Sequence, residues 1–372
     1  MKILVLTKRQ YMGQDLLDDR FGRFRELPLE LVRLGHEVEG LAFSYRRREE
    51  GMSTDSDWSA NVGVKWHSMN VTKGFIPRLG TVVRSAFKSA KDFSPDLIWA
   101  CSDAYSAIFG AWLARRIRAR SVIDLYDNFE AFGASKLPFV LPLFRRAVKN
   151  AHGVTCFSKR LAEHIVTVYP RAKPTTVIEN GVHKTIFRPL DRLECRRRLG
   201  LPENATMIGT AGALDHSRGI ETLFEAFHLL GKQMKDLHLA LAGPRGGRLQ
   251  IPTGPRVHDL NILPHGDVPT FVNAVDLSVV CYRQSPQGQF SLPQKAYEII
   301  ACRTPLIAAA VGSMNELLRD YPDCLYQPEN PASLAAVAHR QLQQKIIVEK
   351  EVPSWTDSAK RLEDFFEEVV RQ

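Results

Sequence analysis

Short, β-rich apolar runs alternate with amphipathic segments along nearly the whole chain, and this alternation limits the fold more than any other feature. In the first half KILVLT, VEGLAF, DLIWAC, SVIDLY, GVTCFS and TTVIEN read as strands, with FRELPLELVRLG and AYSAIFGAWLARRIRA as helices between them. In the second half TMIGTAG, LHLALAG, NILPHG, LSVVCY, PLIAAA and CLYQPE take the strand role, around GIETLFEAFHLLGKQM and PASLAAVAHRQLQQK. Strands separated by crossover helices imply parallel sheets covered on both faces. The same grammar occurring twice predicts two doubly wound α/β domains. The joint falls in ENGVHKTIFRPLDRLE, where an Asn-Gly turn precedes a proline. Ligands of an open parallel sheet sit beyond the carboxyl ends of its strands, so two such domains predict a cleft between them. The stretch RRREEGMSTDSDWSANVG, residues 46–63, reads as a mobile loop.

Composition agrees with two globular domains and narrows the chemistry. With 372 residues, 44% hydrophobic and 24% charged, the chain is too long for one ordinary core and too apolar for wholesale disorder. Its six cysteines are scattered, with no CxxC pair and no Cys–His zinc spacing. That pattern suits a reducing compartment and argues against a disulfide framework or structural metal. MKILVLTKRQ carries no apolar signal region, and no run of about 18 apolar residues could span a bilayer. A soluble cytoplasmic protein, or one peripheral on the inner face of the membrane, is therefore expected.

Charge is unevenly placed. Residues 1–180 hold 28 Lys and Arg against 19 Asp and Glu, whereas the remainder holds 22 of each. Such a field attracts anionic surfaces. No GxGxxG follows the first strand, which disfavours a nicotinamide enzyme, and no P-loop is present. No DxD follows a strand either; DLYD, Asp124 to Asp127, has the wrong spacing.

The stretch SLPQKAYEIIACRTPLIA, Ser291 to Ala308, places Lys295 and Glu298 one helical turn apart on one face, just before a buried strand. Together with LVRLGHEVEGLA, VIENGVHKTIFRP, TAGALDHSRGIETLFEAF, NILPHGDVP and WTDSAKRLEDFFEEV, it resembles the GT-B glycosyltransferases, specifically the retaining nucleotide-sugar enzymes of family four. The resemblance covers nearly the whole chain. It implies a GT-B fold: an acceptor-side domain at 1–182, a donor domain at 183–353, and a terminal helix at 354–372 packing back on the first domain.

It also implies roles. The helix opening near Ser291 and Leu292 would aim its N-terminus at the donor diphosphate, with Ser291 as N-cap and Leu292 and Pro293 in the first turn. Glu298 matches the glutamate that accepts hydrogen bonds from the ribose hydroxyls, and Lys295 would add a cation beside the diphosphate. Gly212 and Gly266 fall among the donor-binding residues, and Arg218 on a phosphate-holding basic position. Gly22, Arg23 and Asp103 fall on the acceptor side, and Asp127 beside the donor sugar. On the residues alone, Gly22 also reads as a turn glycine and Asp127 as a helix cap. The catalytic set implied is Arg218, Lys295 and Asp127, with no cofactor or metal required. Implied partners are a nucleotide sugar, a UDP-sugar by preference, a glycan or lipid-linked acceptor, and an anionic membrane surface, but not nucleic acid.

Three departures from the family pattern stand out: Phe290 where a glutamate is usual, Ala213 where an arginine is usual, and His183 where an aspartate is usual. Two other readings stay open. Sugar-nucleotide epimerases share this architecture, and a non-catalytic sugar-nucleotide-binding descendant would tolerate Phe290 and Ala213.

Overall fold

The structure, a computed structural model, describes residues 1–11, 14–20, 22–57, 62–73, 76–131, 137–169, 173–247, 249–285, 288–290 and 292–372. In chain order the elements are β1 (Lys2–Lys8), α1 (Arg23–Arg33), β2 (Glu37–Ser44), β3 (Gly51–Asp57), β4 (Val62–Asn70), α2 (Leu79–Phe93), β5 (Leu97–Ala100) and α3 (Ala104–Ile117). Then come β6 (Arg120–Leu125), α4 (Val140–Asn150), β7 (Gly153–Cys156), α5 (Lys159–Val168), β8 (Thr175–Val177) and α6 (Arg192–Arg198). These are followed by β9 (Thr206–Ala211), α7 (Glu221–Leu230), β10 (Leu237–Ala242), β11 (Val257–Asp259), α8 (Val268–Ala274) and β12 (Leu277–Val280). The chain ends with α9 (Gln294–Ala301), β13 (Leu306–Ala309), α10 (Ser313–Leu317), β14 (Leu325–Tyr326), α11 (Pro331–Gln343) and α12 (Trp355–Arg371). Both doubly wound parallel sheets expected from the sequence are present. The chain divides into one unit of Met1–Asn180 with Trp355–Gln372 and a second of Gly181–Ser354.

The first unit's sheet has the order β8-β7-β6-β5-β1-β2-β4-β3. Its faces follow from the two-residue period of a strand. Ile3 and Val5 of β1 join Trp99 in a core closed by Phe24, Leu27 and Leu31 of α1 and by Trp355, Phe365 and Phe366 of α12. Leu4 and Leu6, pointing the other way, meet Val82, Ala86 and Ala90 of α2 and Leu113 of α3. KILVLT is apolar without interruption because both faces are covered.

Two elements differ from the sequence reading. Of residues 46–63, positions 58–61 lie outside the described residues, and the rest are not simply a loop: β3 pairs antiparallel with β4, Ser53 opposite Trp66 and Thr54 opposite Lys65. This edge strand is almost wholly polar, so pairing rather than burial holds it, and no apolar alternation announced it. NILPHG is not a strand; the neighbouring β11 takes that place, and His265–Asp267 form a 3-10 turn.

The second unit's sheet is wholly parallel, in the order β11-β10-β9-β12-β13-β14. One face packs Ile208, Leu239, Leu241, Val279 and Ile307 against Leu223 and Phe227 of α7 and Leu334 and Ala338 of α11. The order reverses between β9 and β12.

Candidate functional site

At that reversal the loops leaving β9 and β12 turn to opposite sides of the sheet, the place beyond the carboxyl ends of the strands where open parallel sheets take their ligands. Two glycines shape its floor. Gly212 follows β9 with φ +119°, and its N–H donates to the Ala242 carbonyl at 2.9 Å. Gly243 follows β10 with φ +133°, and a methyl group there would stand 2.0 Å from the Gly212 oxygen. The two loops thus cross backbone on backbone, which only glycine permits. A methyl group on Gly212 would in turn meet Lys295, 3.3 Å from Nζ and 3.6 Å from Cε. The Lys295 ammonium therefore rests against the main chain at the end of β9.

Lys295 and Glu298 both sit early in α9, half-buried. Burial pushes the Lys295 ammonium down to about 8, and the Arg218 charge adds to the effect while Cys281 and Glu298 oppose it. Burial likewise pushes the Glu298 carboxyl up to about 7, against a hydrogen bond from Gln294 Nε2 (3.1 Å) and the charges of Lys295 and His183. Two opposite charges are thus held in a poorly solvated place, each closer to neutrality than in water. An anionic or hydrogen-bonding ligand would restore both.

The helix start differs from the sequence reading. Gln294 is the first helical residue, Pro293 takes the N-cap position with no side-chain cap, and Leu292 is buried ahead of it. The proline ring fixes φ but has no acceptor to offer the next amides. Ser291 lies outside the described residues.

Arg218 ends a short 3-10 turn, His216–Arg218, capped by Asp215, whose side chain accepts from the Ser217 N–H at 2.6 Å. Its Nη1 donates to the Tyr282 hydroxyl, and its guanidinium stands 4.8 Å from the centre of the Tyr282 ring. Gly266 lies exposed in the His265–Asp267 turn; the loop before it is tied to the floor where the Gly243 N–H donates to the Asn261 carbonyl at 2.7 Å. Arg218, Lys295, Glu298 and Gly212 are thus brought to one end of one sheet. The arrangement offers two cations and a carboxylate at a glycine-lined crevice, which suits a ligand with a phosphate end and a diol end.

Comparison with known proteins identifies the family and the fold. Residues 23–181 match the family described as Glycosyl transferase 4-like domain, and residues 205–344 the family described as Glycosyl transferases group 1. The chain belongs to the family-four glycosyltransferases of GT-B architecture. It is similar to the D-inositol 3-phosphate glycosyltransferase of Stackebrandtia nassauensis, with 33% identity over 174 residues, 43% of this chain and 39% of that protein. The Catenulispora acidiphila enzyme 1 of that description is 29% identical over 194 residues, 47% of this chain and 45% of that protein. The matched stretches thus span less than half the length of these curated relatives. Among solved structures, Anabaena HepE in complex with UDP-glucose superposes with a TM-score of 0.69 at 18% identity, covering 100% of this chain and 98% of that one. The catalytic domain of Arabidopsis thaliana starch synthase IV, bound to ADP and acarbose, gives 0.72 at 15% identity, covering 100% and 99%.

The first unit of this family-four chain places the remaining residues. Gly22 precedes α1 with φ +93° and its carbonyl accepts from the Arg25 and Glu26 N–H groups, so it opens a helix. Arg23 does not line an open acceptor surface, which corrects the sequence reading. It is fully buried, donating from Nη2 to Asp124 Oδ1 (2.8 Å), from Nε to Asp124 Oδ2 (3.1 Å) and from Nη1 to the Ile178 carbonyl (2.8 Å). Thr155 Oγ1 donates to the same carboxylate at 2.6 Å, so Asp124 is a structural counter-ion. Asp103 follows β5 and caps α3, accepting from the Ser106 N–H at 2.7 Å and from the Tyr45 hydroxyl at 3.0 Å. Asp127 is buried and accepts from the Asn128 N–H at 2.7 Å, a local turn contact. Tyr282 was missed from sequence: one aromatic at a strand end carries no motif.

Proposed function

We propose that this chain is a retaining glycosyltransferase that moves a hexose-type sugar from a nucleoside diphosphate, a UDP-sugar in the first instance, to a glycan or lipid-linked acceptor. Its pathway would be the synthesis of cell-surface polysaccharide or lipopolysaccharide. The observation that carries the reading is the approach of Lys295 to the Gly212 backbone, with Arg218 near enough for its charge to bear on Lys295 and Glu298 one turn along α9. The UDP-glucose complex of HepE supports the choice of base.

In the reaction the bond from the anomeric carbon to a diphosphate oxygen breaks, and its electron pair leaves with the diphosphate. The acceptor hydroxyl oxygen bonds to that carbon on the vacated face, and its proton passes to a departing diphosphate oxygen. Arg218 and Lys295 stabilise the negative charge that grows on the leaving group. Glu298 accepts from the ribose diol. No protein nucleophile is assigned, and no metal is required where two side-chain cations face the phosphates. Incubation with UDP-, GDP- and ADP-sugars tests the reading: release of nucleoside diphosphate with transfer supports it, whereas epimerised donor or binding without turnover would replace it.

The acceptor reading draws on the first unit's surface. Leu137, Phe139 and Leu143 are exposed at the start of α4, Phe139 at 78%, and Arg145, Arg146 and Lys149 follow on the same helix. Basic Arg115 and Arg116 lie on α3, which packs against α4. Apolar side chains beside cations fit the interface of an anionic membrane. Among the described residues no helix is long and apolar enough to cross one. Phe139→Ser with Leu143→Ser should abolish sedimentation with phosphatidylglycerol vesicles at low salt; equal sedimentation with neutral vesicles by the unaltered protein would remove the idea.

A further inference from the structure

The Arg218 turn is gripped from both sides by two consecutive residues that leave β12. Tyr282 takes the side chain: its hydroxyl accepts from Arg218 Nη1, and its ring lies 4.8 Å from the guanidinium carbon. Arg283 takes the main chain: its Nε donates to the His216 carbonyl at 2.5 Å. Arg283 is itself braced, with Nη1 donating to Glu329 Oε1 at 2.6 Å and Nη2 lying 3.7 Å from Glu221 Oε2. Glu221 also pairs with His216, closing a ring of contacts around the turn. Gly219, which ends the turn with φ +69°, lies so close that a methyl group on it would stand 3.0 Å from Arg283 Cγ.

From this we infer that Tyr282 and Arg283 are positioning residues, which hold Arg218 in its phosphate-facing conformation before any ligand arrives. The inference rests on the role proposed above for Arg218. An arginine left free in solvent samples many rotamers, and ordering it on a ligand weakens binding. Stacking on a ring and donating to its hydroxyl together fix the guanidinium plane, leaving its other N–H groups for the diphosphate. Because β9 and β12 are neighbours at the sheet's reversal, the segment leaving β12 meets the turn that follows β9 and supplies the grip. Sequence alone could not pair them, since Tyr282 lies 64 residues beyond Arg218.

The test compares a ligand that has phosphates with one that lacks them. Affinities for UDP and uridine are measured by calorimetry for the unaltered protein, Tyr282→Phe, Arg218→Ala and the double variant, with melting temperatures alongside. Where GDP or ADP gives the larger thermal shift, that nucleotide and its nucleoside replace UDP and uridine. Tyr282→Phe should weaken UDP roughly 5- to 10-fold, the scale of one lost hydrogen bond, and leave uridine unchanged. In the Arg218→Ala background the same change should do nothing further, because there is no guanidinium left to hold. Arg283→Ala should reproduce the pattern. UDP affinity within twofold in Tyr282→Phe, while Arg218→Ala loses it, would overturn the positioning role alone. So would additive losses in the double variant. An Arg218→Ala protein that binds UDP normally would overturn the role proposed for Arg218, and this inference with it. So would an unaltered protein that binds none of the three nucleotides.

Discussion

Donor binding should follow pH in a way set by two side chains on one turn of helix. Glu298 holds its proton up to about 7 because its carboxyl is poorly solvated, and the ribose diol needs the ionised form as acceptor. At pH 5.5 only about 3% of the carboxyl is ionised, so uridine should bind roughly 30-fold more weakly than at pH 8. Uridine is the ligand of choice, because it has no phosphate to titrate in that range. UDP should show a second limb: Lys295, pushed down to about 8, is largely neutral by pH 8.8, which outweighs the roughly twofold gain from Glu298 ionisation and should weaken UDP roughly threefold relative to pH 7. Glu298→Gln should flatten the acid limb, and Lys295→Arg, which stays charged, the alkaline one. The carboxyl's raised value has a stability counterpart. The folded state holds this proton more tightly than the unfolded chain does, so stability is lost as pH rises from 4.5 through about 7. Above pH 7, Glu298→Gln should therefore be the more stable protein by roughly 2 kcal/mol, discounted for partial exposure of the side chain. Calorimetric titration from pH 5.5 to 8.8 decides the matter. A flat uridine affinity in the unaltered protein, or an acid limb that survives in Glu298→Gln, would refute the account of the ribose end.

Gly212→Ala should cost about 1–2 kcal/mol through its left-handed backbone and push Lys295 aside. UDP should then bind on the order of tenfold more weakly while uridine is unaffected, as read by melting and calorimetry. Arg23→Ala leaves Asp124 buried without its cation and should destabilise the first unit by about 3–5 kcal/mol, lowering its melting temperature on the order of 10 °C; a melting curve that does not move would mean the pair is dispensable. Chelation by EDTA should leave UDP affinity and turnover within about twofold, since Arg218 and Lys295 supply the positive charge. An absolute requirement for magnesium would place the leaving-group site elsewhere.

Most of the fold was legible because parallel strands covered on both faces must be apolar at successive positions. Ile3 to Leu6 serve two cores at once and admit no other reading. What escaped lies where burial does not write the pattern. β3 is a polar edge strand, held by backbone pairing with β4, so its residues carry the signature of a loop. β11 is three residues long and only part-buried, and NILPHG beside it contains the apolar pair Ile262 and Leu263, which has the composition of a strand.

Legibility of the site divides on sequence distance. Lys295 and Glu298 could be paired from sequence because three residues on a helix mean one face, whatever the tertiary structure does. Contacts made between distant segments leave no such mark. Gly243 crosses Gly212 from the end of the neighbouring strand, and nothing in LHLALAG says which loop it will meet. Arg23 failed for the same reason in the opposite direction. In DDRFGRFRE it falls on the acceptor side, yet its partner Asp124 lies 101 residues away and removes it from solvent altogether. The consequence bears on the whole basic excess of residues 1–180: charge counted along a sequence becomes a surface field only after its buried partners are subtracted. Arg9 is buried in the same manner against Asp15, Asp18 and Ser68. The subtraction takes matched charges, so the net excess survives it, concentrated on residues such as Arg115, Arg116, Arg146 and Lys149 that remain exposed. Arg146 and Lys149 also share α4 with the exposed Leu143, which is why the membrane reading draws on that helix rather than on the total.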